Sequence, residues 1–324
     1  MPITRRRFLQ STAAGAAIPA VSHSAAGQAY PARPLHLIVG YAPGGSTDIT
    51  ARLIAQELSK RTGATFIVEN RPGASTNIAT EAVIRSPADG YTLLMATAAN
   101  AINASLYENL AFDFARDTAP VVGVIRMQNV LEVNPSLPVR TVPELIAYAK
   151  ANPGSLILGT AGRGSPGQIS GSLFEMMTGI KMLHVPYRGA APALRGLLGG
   201  QVNVMVDNMA TALPYIKTGQ VRALAVTTAA RSHLLPDLPT IGESVPGYEA
   251  SSWFGVVAPK GTPAEAIDFL NREINAVLRD PAIIARFSGL GGTPLGGSPA
   301  DFGKLIADET EKWGRVVRFA AKPS

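Results

Sequence analysis

The sequence predicts an α/β fold made of two sheet domains, and three observations carry that prediction. Short β-rich runs alternate with helical patterns from Tyr30 onward, and most of the runs are continuously apolar, as strands buried on both faces of a parallel sheet are. Glycine or proline marks most of the joints between them. The order of motifs also recurs: LHLIVGYAPGG, a helix, Thr62-Gly63, a strand and Arg71-Pro72-Gly73 in the first half are answered in the second. There the order is LILGTAGRG, a helix, Thr178-Gly179, a strand and Tyr187-Arg188-Gly189.

Taken in order, the expected strands are LHLIV (35–39), TFIVE (65–69), YTLLMA (91–96), SLILGT (155–160), KMLHVPY (181–187), VNVMV (202–206) and VRALAV (221–226). After the first of them, Ile49, Leu53, Ile54 and Leu58 recur at helical spacing, and Gly63 supplies a C-cap. Further helices are expected over 77–85, 142–151, 167–178, 190–199 and 208–218. The stretch SSWFGVVAPKGTP (251–263) reads as a strand running into a Pro-Gly turn, with helices near 263–279 and 298–318 behind it. Those two have no sheet of their own, so they are expected to return and pack on the first domain. Residues 30–125 plus 250–324 then make one domain and 126–249 the other. Crossovers near 122–127 and 250–256 join the two and can serve as a hinge.

Composition narrows the chemistry. With 324 residues, 46% hydrophobic and 16% charged, the chain suits packed globular domains. It has no cysteine, which excludes disulfides, thiolate metal sites and a cysteine nucleophile. The formal charge of +6 includes Arg5, Arg6 and Arg7, and the remaining charges are interspersed. No stripe of Lys and Arg offers a nucleic acid the counterion release it needs.

The N-terminus is read as an address. MPITRRRFLQ is a basic start, STAAGAAIPAV an uncharged Ala-rich run, and SHSAAGQA a small-residue stretch. Together they form an export signal over residues 1–29 with cleavage after Ala26 or Ala29. The apolar run is far shorter than the roughly 20 residues that span a bilayer. Thr4-Arg5-Arg6-Arg7-Phe8-Leu9-Gln10 resembles the twin-arginine signal; an ordinary secretory signal is the alternative. No cysteine follows to carry a lipid anchor, so a soluble periplasmic protein is expected.

Two Gly-rich strand-to-helix turns carry the candidate chemistry. Ala42-Pro43-Gly44-Gly45-Ser46-Thr47-Asp48 follows an apolar strand and opens a helix. Its glycines let the backbone approach a ligand, and the unpaired N–H groups of the first helical turn make an anion site. Ser46 or Thr47 can cap the helix or bond the ligand, and Asp48 supports the first turn. The second turn, Gly162-Arg163-Gly164-Ser165-Pro166-Gly167, fits G-x-G-x-x-G. The next strand nevertheless ends His184-Val185-Pro186-Tyr187-Arg188, without the acidic residue that a dinucleotide site expects. Arg163 also stands where a nucleophile elbow around Ser165 needs glycine.

Other positions leave two readings open. Asp207, after VNVMV and ahead of a helix, is a ligand contact or an N-cap. Arg71 and Arg188 follow equivalent strands and either hold an anion or are solvated turn residues. Tyr41, Trp253 and Phe254 line a cleft or pack in the core. His36 and His184 sit within apolar strands as structural histidines, and no metal-ligand spacing occurs.

These motifs, in this order, resemble the extracytoplasmic solute receptors of tripartite tricarboxylate transporters, the Bug or TctC-like family. The resemblance rests on Tyr41 to Asp48 with Ala51-Arg52, on Val68-Glu69-Asn70-Arg71-Pro72-Gly73-Ala74 with Asn77-Ile78, and on Pro87-Ala88-Asp89-Gly90-Tyr91-Thr92-Leu93. It continues through Gly164-Ser165-Pro166-Gly167, Val185-Pro186-Tyr187-Arg188-Gly189 with Pro192-Ala193, and Leu198-Gly199-Gly200-Gln201-Val202 up to Asp207. The sequence departs from the family at Gly167, where a bulkier polar residue, often His, is usual, and at Ser75-Thr76, where Gly is frequent.

The resemblance implies a two-domain periplasmic binding protein of type II, a Venus flytrap with two interdomain crossovers. The ligand carboxylate would be held in the cleft by loop backbone and ordered water more than by an arginine. Tyr41, Pro43, Gly44, Gly45, Ser46, Thr47, Asp48, Thr97 and Ala98 would bind it from the first domain, and Gly162, Gly164, Ser165 and Asp207 from the second. No catalytic residue, metal or cofactor is implied. The function expected is that of a monomeric receptor, not an enzyme. It captures a di- or tricarboxylate, an aromatic acid or an amino acid, closes on its hinge, and delivers the ligand to integral membrane transporter subunits. A receptor serving a membrane sensor, and a hydrolase using Ser46 or Ser165, are the alternatives.

Overall fold

The computed structural model describes residues 30–107 and 109–320; the export signal expected over 1–29 lies outside them. The first half builds a parallel unit from β1 (Leu35–Val39), α1 (Ser46–Thr62), β2 (Phe66–Asn70), α2 (Asn77–Ile84) and β3 (Thr92–Thr97), with spatial order β2-β1-β3. α1 forms because Leu53, Ile54 and Leu58 give it one buried stripe, and it stops at Gly63, whose φ of 73° and N–H to the Ser59 carbonyl make a left-handed cap. α3 (Ala98–Leu106) follows β3 directly, started by a Thr97–Asn100 capping box. After the short α4 (Phe114–Asp117), β4 (Thr118–Met127) extends the same sheet.

The chain then changes sheets at a single residue. Met127 pairs within the first sheet and Asn129 opens β5 (Asn129–Val133) in the second, so Gln128 alone makes the passage. Beyond α5 (Val142–Ala151), the parallel unit is rebuilt: β6 (Ile157–Thr160), α6 (Pro166–Thr178), β7 (Leu183–Pro186), α7 (Ala190–Leu198), β8 (Val204–Asn208), in spatial order β7-β6-β8. β5 lies antiparallel beside β8, and after α8 (Met209–Lys217), β9 (Arg222–Val226) closes that edge.

The return to the first sheet is β10 (Ser252–Pro259), every residue of it buried, inserted antiparallel between β3 and β4. Next to β5 the two crossovers are tied together. Thr227 N–H donates to the Asn129 carbonyl at 3.0 Å, and Ala250 N–H to the Thr227 carbonyl at 2.8 Å.

The C-terminal elements do pack on the first sheet. α9 (Ala264–Leu278) lies against α1 and β4, and after α10 (Pro281–Gly289), β11 (Gly292–Gly296) adds an antiparallel edge strand to β4. α11 (Pro299–Ala320) lays Phe302, Ile306, Trp313 and Val317 against α3 and β4 and reaches α6 as well. The contact with β10 is close: a Cβ on Gly255 would fall 2.1 Å from Phe302 Cζ. The indole N–H groups of Trp313 and Trp253 both donate to Glu309 Oε2, at 2.7 and 3.3 Å, which lets two large rings be buried without an unpaired donor.

Candidate functional site

Each parallel unit connects its middle strand to one neighbour and then doubles back to the other. A crevice therefore opens at the C-terminal ends of β1 and β3, and another at the ends of β6 and β8, the places where open α/β sheets bind ligands. The two crevices face each other and enclose one cavity of about 40 Å3. Tyr41, the first turn of α1 at Gly45, Ser46 and Thr47, and Thr97 line it from the first sheet. Ala161, the start of α6 at Ser165, Pro166 and Gly167, Ala190, Asp207 and Asn208 line it from the second. Asn129, Ser252 and Phe254, on the strands beside the crossovers, complete it.

Both Gly-rich turns use one device. Gly44 takes a φ of 86° and its N–H donates to Asp48 Oδ2 at 2.9 Å; Gly164 takes a φ of 80° and its N–H donates to Gln168 Oε1 at 2.8 Å. In each case a side chain four residues on closes the turn and leaves the following helix start turned to the cavity. The Asp48 carboxylate also accepts from Arg52 Nε at 3.1 Å and Asn70 Nδ2 at 3.0 Å. Burial alone would raise its pKa, but the Arg52 guanidinium, the Gly44 N–H and the Asn70 amide together hold it below the usual carboxylate range.

The walls touch. Ala42 N–H donates to the Arg188 carbonyl at 3.0 Å, and Ser46 Oγ donates to Asn208 Oδ1 at 2.5 Å. The Asn208 amide donates in turn to Asn129 Oδ1, which also accepts from Ser252 Oγ at 3.0 Å. One polar chain thus runs from the first turn of α1 through the second sheet to β10. Three buried groups on the cavity wall have no partner: the Tyr41 hydroxyl, the Asn129 Nδ2 donor and Asp207 Oδ2. Burial pushes Asp207 up to about 7 against the opposing Asn208 N–H, and pushes Tyr41 up to about 12.

Of the expected binding residues, Tyr41, Gly45, Ser46, Thr47, Thr97, Ser165 and Asp207 line this cavity. Gly162 lines a neighbouring one of about 190 Å3, bounded by the turns at 73–75, 161–163 and 186–188. Pro43, Gly44, Asp48, Ala98 and Gly164 line neither: Gly44, Asp48 and Gly164 shape the turns, and Ala98 begins α3. Arg188 borders the neighbouring cavity, while Arg71 pairs with Glu69 at 2.9 Å. Phe254 faces the cavity between the sheets and Trp253 the core. His36 contacts Glu69, and His184 pairs with Glu175 at 2.8 Å.

Both departures from the family pattern have a local cause or consequence. A Cβ on Gly167 would lie 2.2 Å from the Val206 carbonyl oxygen, so the first turn of α6 sits directly on β8. Ala74, Ser75 and Thr76 take φ of 44°, 51° and 77°, a region that favours glycine. Asn103 Nδ2 donates to the Ser75 carbonyl at 2.7 Å and Asn100 Nδ2 to Thr76 Oγ1 at 3.2 Å, holding the turn in place. Asn129, Asn208 and Ser252 escaped the sequence reading, though each is the second of two polar residues at the start or end of an apolar run: Gln128-Asn129, Asp207-Asn208 and Ser251-Ser252. Among the described residues no three His, Asp or Glu side chains converge as metal ligands.

Residues 50–321 match the family model described as the tripartite tricarboxylate transporter family receptor. The chain is 40% identical over 292 residues to protein BugT of Bordetella pertussis, covering 89% of this chain and 90% of that one. Among solved structures it resembles R. palustris Rpa4515 with adipate at 42% identity and a TM-score of 0.88, covering 90% of this chain and 98% of the other. It also resembles MatC (Rpa3494) from Rhodopseudomonas palustris with bound malate, at 30% identity and a TM-score of 0.84, covering 89% and 100%. The two-sheet α/β architecture, the paired crevices and these relatives agree, and the chain belongs to the tripartite tricarboxylate transporter family of receptors, which are binding proteins and not enzymes.

Proposed function

We propose that the protein is a periplasmic solute receptor that binds a small organic carboxylate between two lobes, residues 30–125 plus 250–324 and residues 126–249, and hands it to a membrane transporter. The observation that carries this reading is the meeting of helix starts at one buried cavity. The first turns of α1 and α6 and the residue opening α7 line it, and the free Asn129 amide donor faces the same space. Helix N-termini favour anions through their unpaired N–H groups and dipole. Water bridging these donors would satisfy a carboxylate nearly as well as direct bonds. The adipate and malate carried by two of its relatives support the same class of ligand. The expected export signal over residues 1–29, twin-arginine in its local string, supports the location. Binding would shift an open and closed equilibrium about the paired crossovers, with no bond made or broken. Ser46 and Ser165 fit this role better than a nucleophile's, since Ser46 donates to Asn208 and Ser165 caps α6.

The test is a thermal-shift screen of purified protein, refolded to release any captured ligand, against di- and tricarboxylates, aromatic acids and amino acids. A ligand at about 100 times its Kd adds about 2.7 kcal/mol and moves the midpoint by roughly 2–4 °C. Silence across the panel sinks carboxylate capture.

A further inference from the structure

We propose that the ligand of this cleft carries an ammonium group besides its carboxylate, as an amino acid does, and that Asp207, backed by Glu132, receives it. The inference rests on the carboxylate reading above and narrows it. It starts from strand register. In the antiparallel pair β5 and β8, Val130 lies opposite Asp207 and Glu132 opposite Met205, so Glu132 and Asp207 share one face of the sheet, a diagonal step apart. Both are buried, at 0% and 5% exposure. Both oxygens of Glu132 and the Oδ2 of Asp207 lack a hydrogen-bond partner. Interiors rarely leave three carboxyl oxygens without a donor, and a buried charge is normally paired.

No cation among the described residues answers them. Among the described residues neither acid forms an ion pair: Arg195 on α7 and Lys217 on α8 are exposed, and Arg52 on α1 pairs with Asp48. Arg222 on β9 donates its guanidinium to the Pro135, Leu137 and Val139 carbonyls. Phenols also stand on this side, Tyr41 on the cavity wall and Tyr187 and Tyr215 packed around Met205, and none supplies positive charge. Asp207 lines the cavity and Glu132 stands behind it. The cavity therefore has two chemistries. Helix starts and the Asn129 amide offer donors for a carboxylate, while Asp207 offers an acceptor with a second acid at its back. A zwitterion satisfies both, whereas the far carboxylate of a plain diacid would meet like charge in a low-dielectric setting. Burial, which holds both acids well above the ordinary carboxylate range, keeps a proton on the pair until a cation displaces it.

Calorimetric titration of the purified, refolded protein tests this with matched skeletons: succinate against L-aspartate and β-alanine, and adipate against L-2-aminoadipate and 6-aminohexanoate. At about pH 8 an amino member of one set should bind at least about tenfold tighter than its diacid, and the preference should shrink towards about pH 6 as the pair takes up protons. Asp207→Asn should abolish the preference. Glu132→Gln, whose side chain acts through Asp207, should keep binding and flatten the pH profile. A diacid that binds as tightly as every amino partner overturns the proposal while leaving carboxylate capture standing. So does an amino preference that survives in folded Asp207→Asn, or diacid binding that tightens as pH falls, which would make the pair a proton donor to a carboxylate. Silence from both sets and from the screening panel overturns the carboxylate reading as well.

Discussion

Replacing Ser46 by alanine should weaken ligand binding by opening the cleft while leaving the fold intact. The Ser46 hydroxyl, buried in the first turn of α1, reaches across to Asn208 Oδ1 at 2.5 Å, and Asn208 and Asn129 carry the connection to Ser252 on β10. Without the hydroxyl, Asn208 Oδ1 is left half-buried and unpartnered when the lobes are together, at a cost of about 1–3 kcal/mol. In an open form water bonds that oxygen, so the cost falls on the closed form alone. Under the proposed closure, in which the ligand binds the closed form, the same cost appears in the Kd as a loss of about 5- to 150-fold. Calorimetry with the best acid of the screening panel reads the loss, and small-angle scattering reads the closure. Ser46 also lines the cavity, so a double-mutant cycle with Asn208→Ala separates the cross-cleft bond from any direct contact. The pair should couple by about 1 kcal/mol or more. A Kd within about twofold of the parent, or strictly additive single effects, would refute the bridge.

Three further outcomes follow from the same geometry. Gly45 has an ordinary φ of −83°, and a Cβ there would meet Ala190 Cβ at 3.7 Å. Gly45→Ala should therefore bind within about threefold of the parent, whereas the branched methyls of Gly45→Val should meet the first turn of α7 and abolish binding with an unchanged thermal melt; tight binding by the valine variant sinks this. Asp48→Ala removes the partner of the Gly44 N–H, of Arg52 and of the Asn70 amide, and should cost about 1–2 kcal/mol in urea melts with affinity lost by no more than about tenfold. The reverse pattern, full stability with lost binding, would make Asp48 a ligand contact. Burial pushes Asp207 up to about 7 from 3.8, so its contribution to stability is full below about pH 4 and is lost as pH rises through 7. Glu132 adds in the same direction. Urea melts of the ligand-free protein should show Asp207→Asn gaining on the parent as pH rises, and a constant gap between the two would falsify the assignment.

Local pattern was enough for the elements whose signal is local. α1 was legible in Ile49, Leu53, Ile54 and Leu58 and in the Gly63 stop, and the strand runs of both parallel units fall within two residues of the observed β1, β2, β3, β6, β7, β8 and β9. β11 was not legible, because Gly292-Thr293-Pro294-Leu295-Gly296 is turn chemistry by composition; it is a strand only as an edge paired to β4, a place that tolerates proline. α3 lacks an apolar stripe in AANAINASL, and its asparagines are buried by what they hold: Asn100 caps the helix and Asn103 grips the Ser75 carbonyl. The two glycine turns of the site could be read because backbone conformation is written in glycine. Asn129 could not, since nothing in the string QNVLEV says that its amide faces a second lobe. Glu132 is a lone acid in the same string, and only register against β8 sets it beside Asp207.

The duplication of the parallel unit makes the difference between the lobes informative. Val39 pairs with Met95 in the first sheet and Gly159 with Met205 in the second, so two residues further on Thr97 and Asp207 occupy corresponding places at the mouths of their crevices. Thr97 is consumed by its own helix, since its Oγ accepts the Ala99 N–H at 3.2 Å. Asp207 is not. Asn208 holds the N-cap position of α8 without a side-chain cap bond, and Asp207 accepts only the adjacent Asn208 N–H at 2.8 Å. A cap role for Asp207 would have used the oxygen that remains free. In the first lobe the turn is closed by a charged side chain, Asp48, locked to Arg52, and the crevice mouth is neutral. In the second the turn is closed by neutral Gln168, and the unpaired charge capacity sits at the mouth. Two copies of one scaffold thus face each other with opposite hydrogen-bond character, and under the ammonium proposal that gives a nearly symmetric cleft a direction: the anionic end of the ligand would meet α1 and Asn129, and its other end β8.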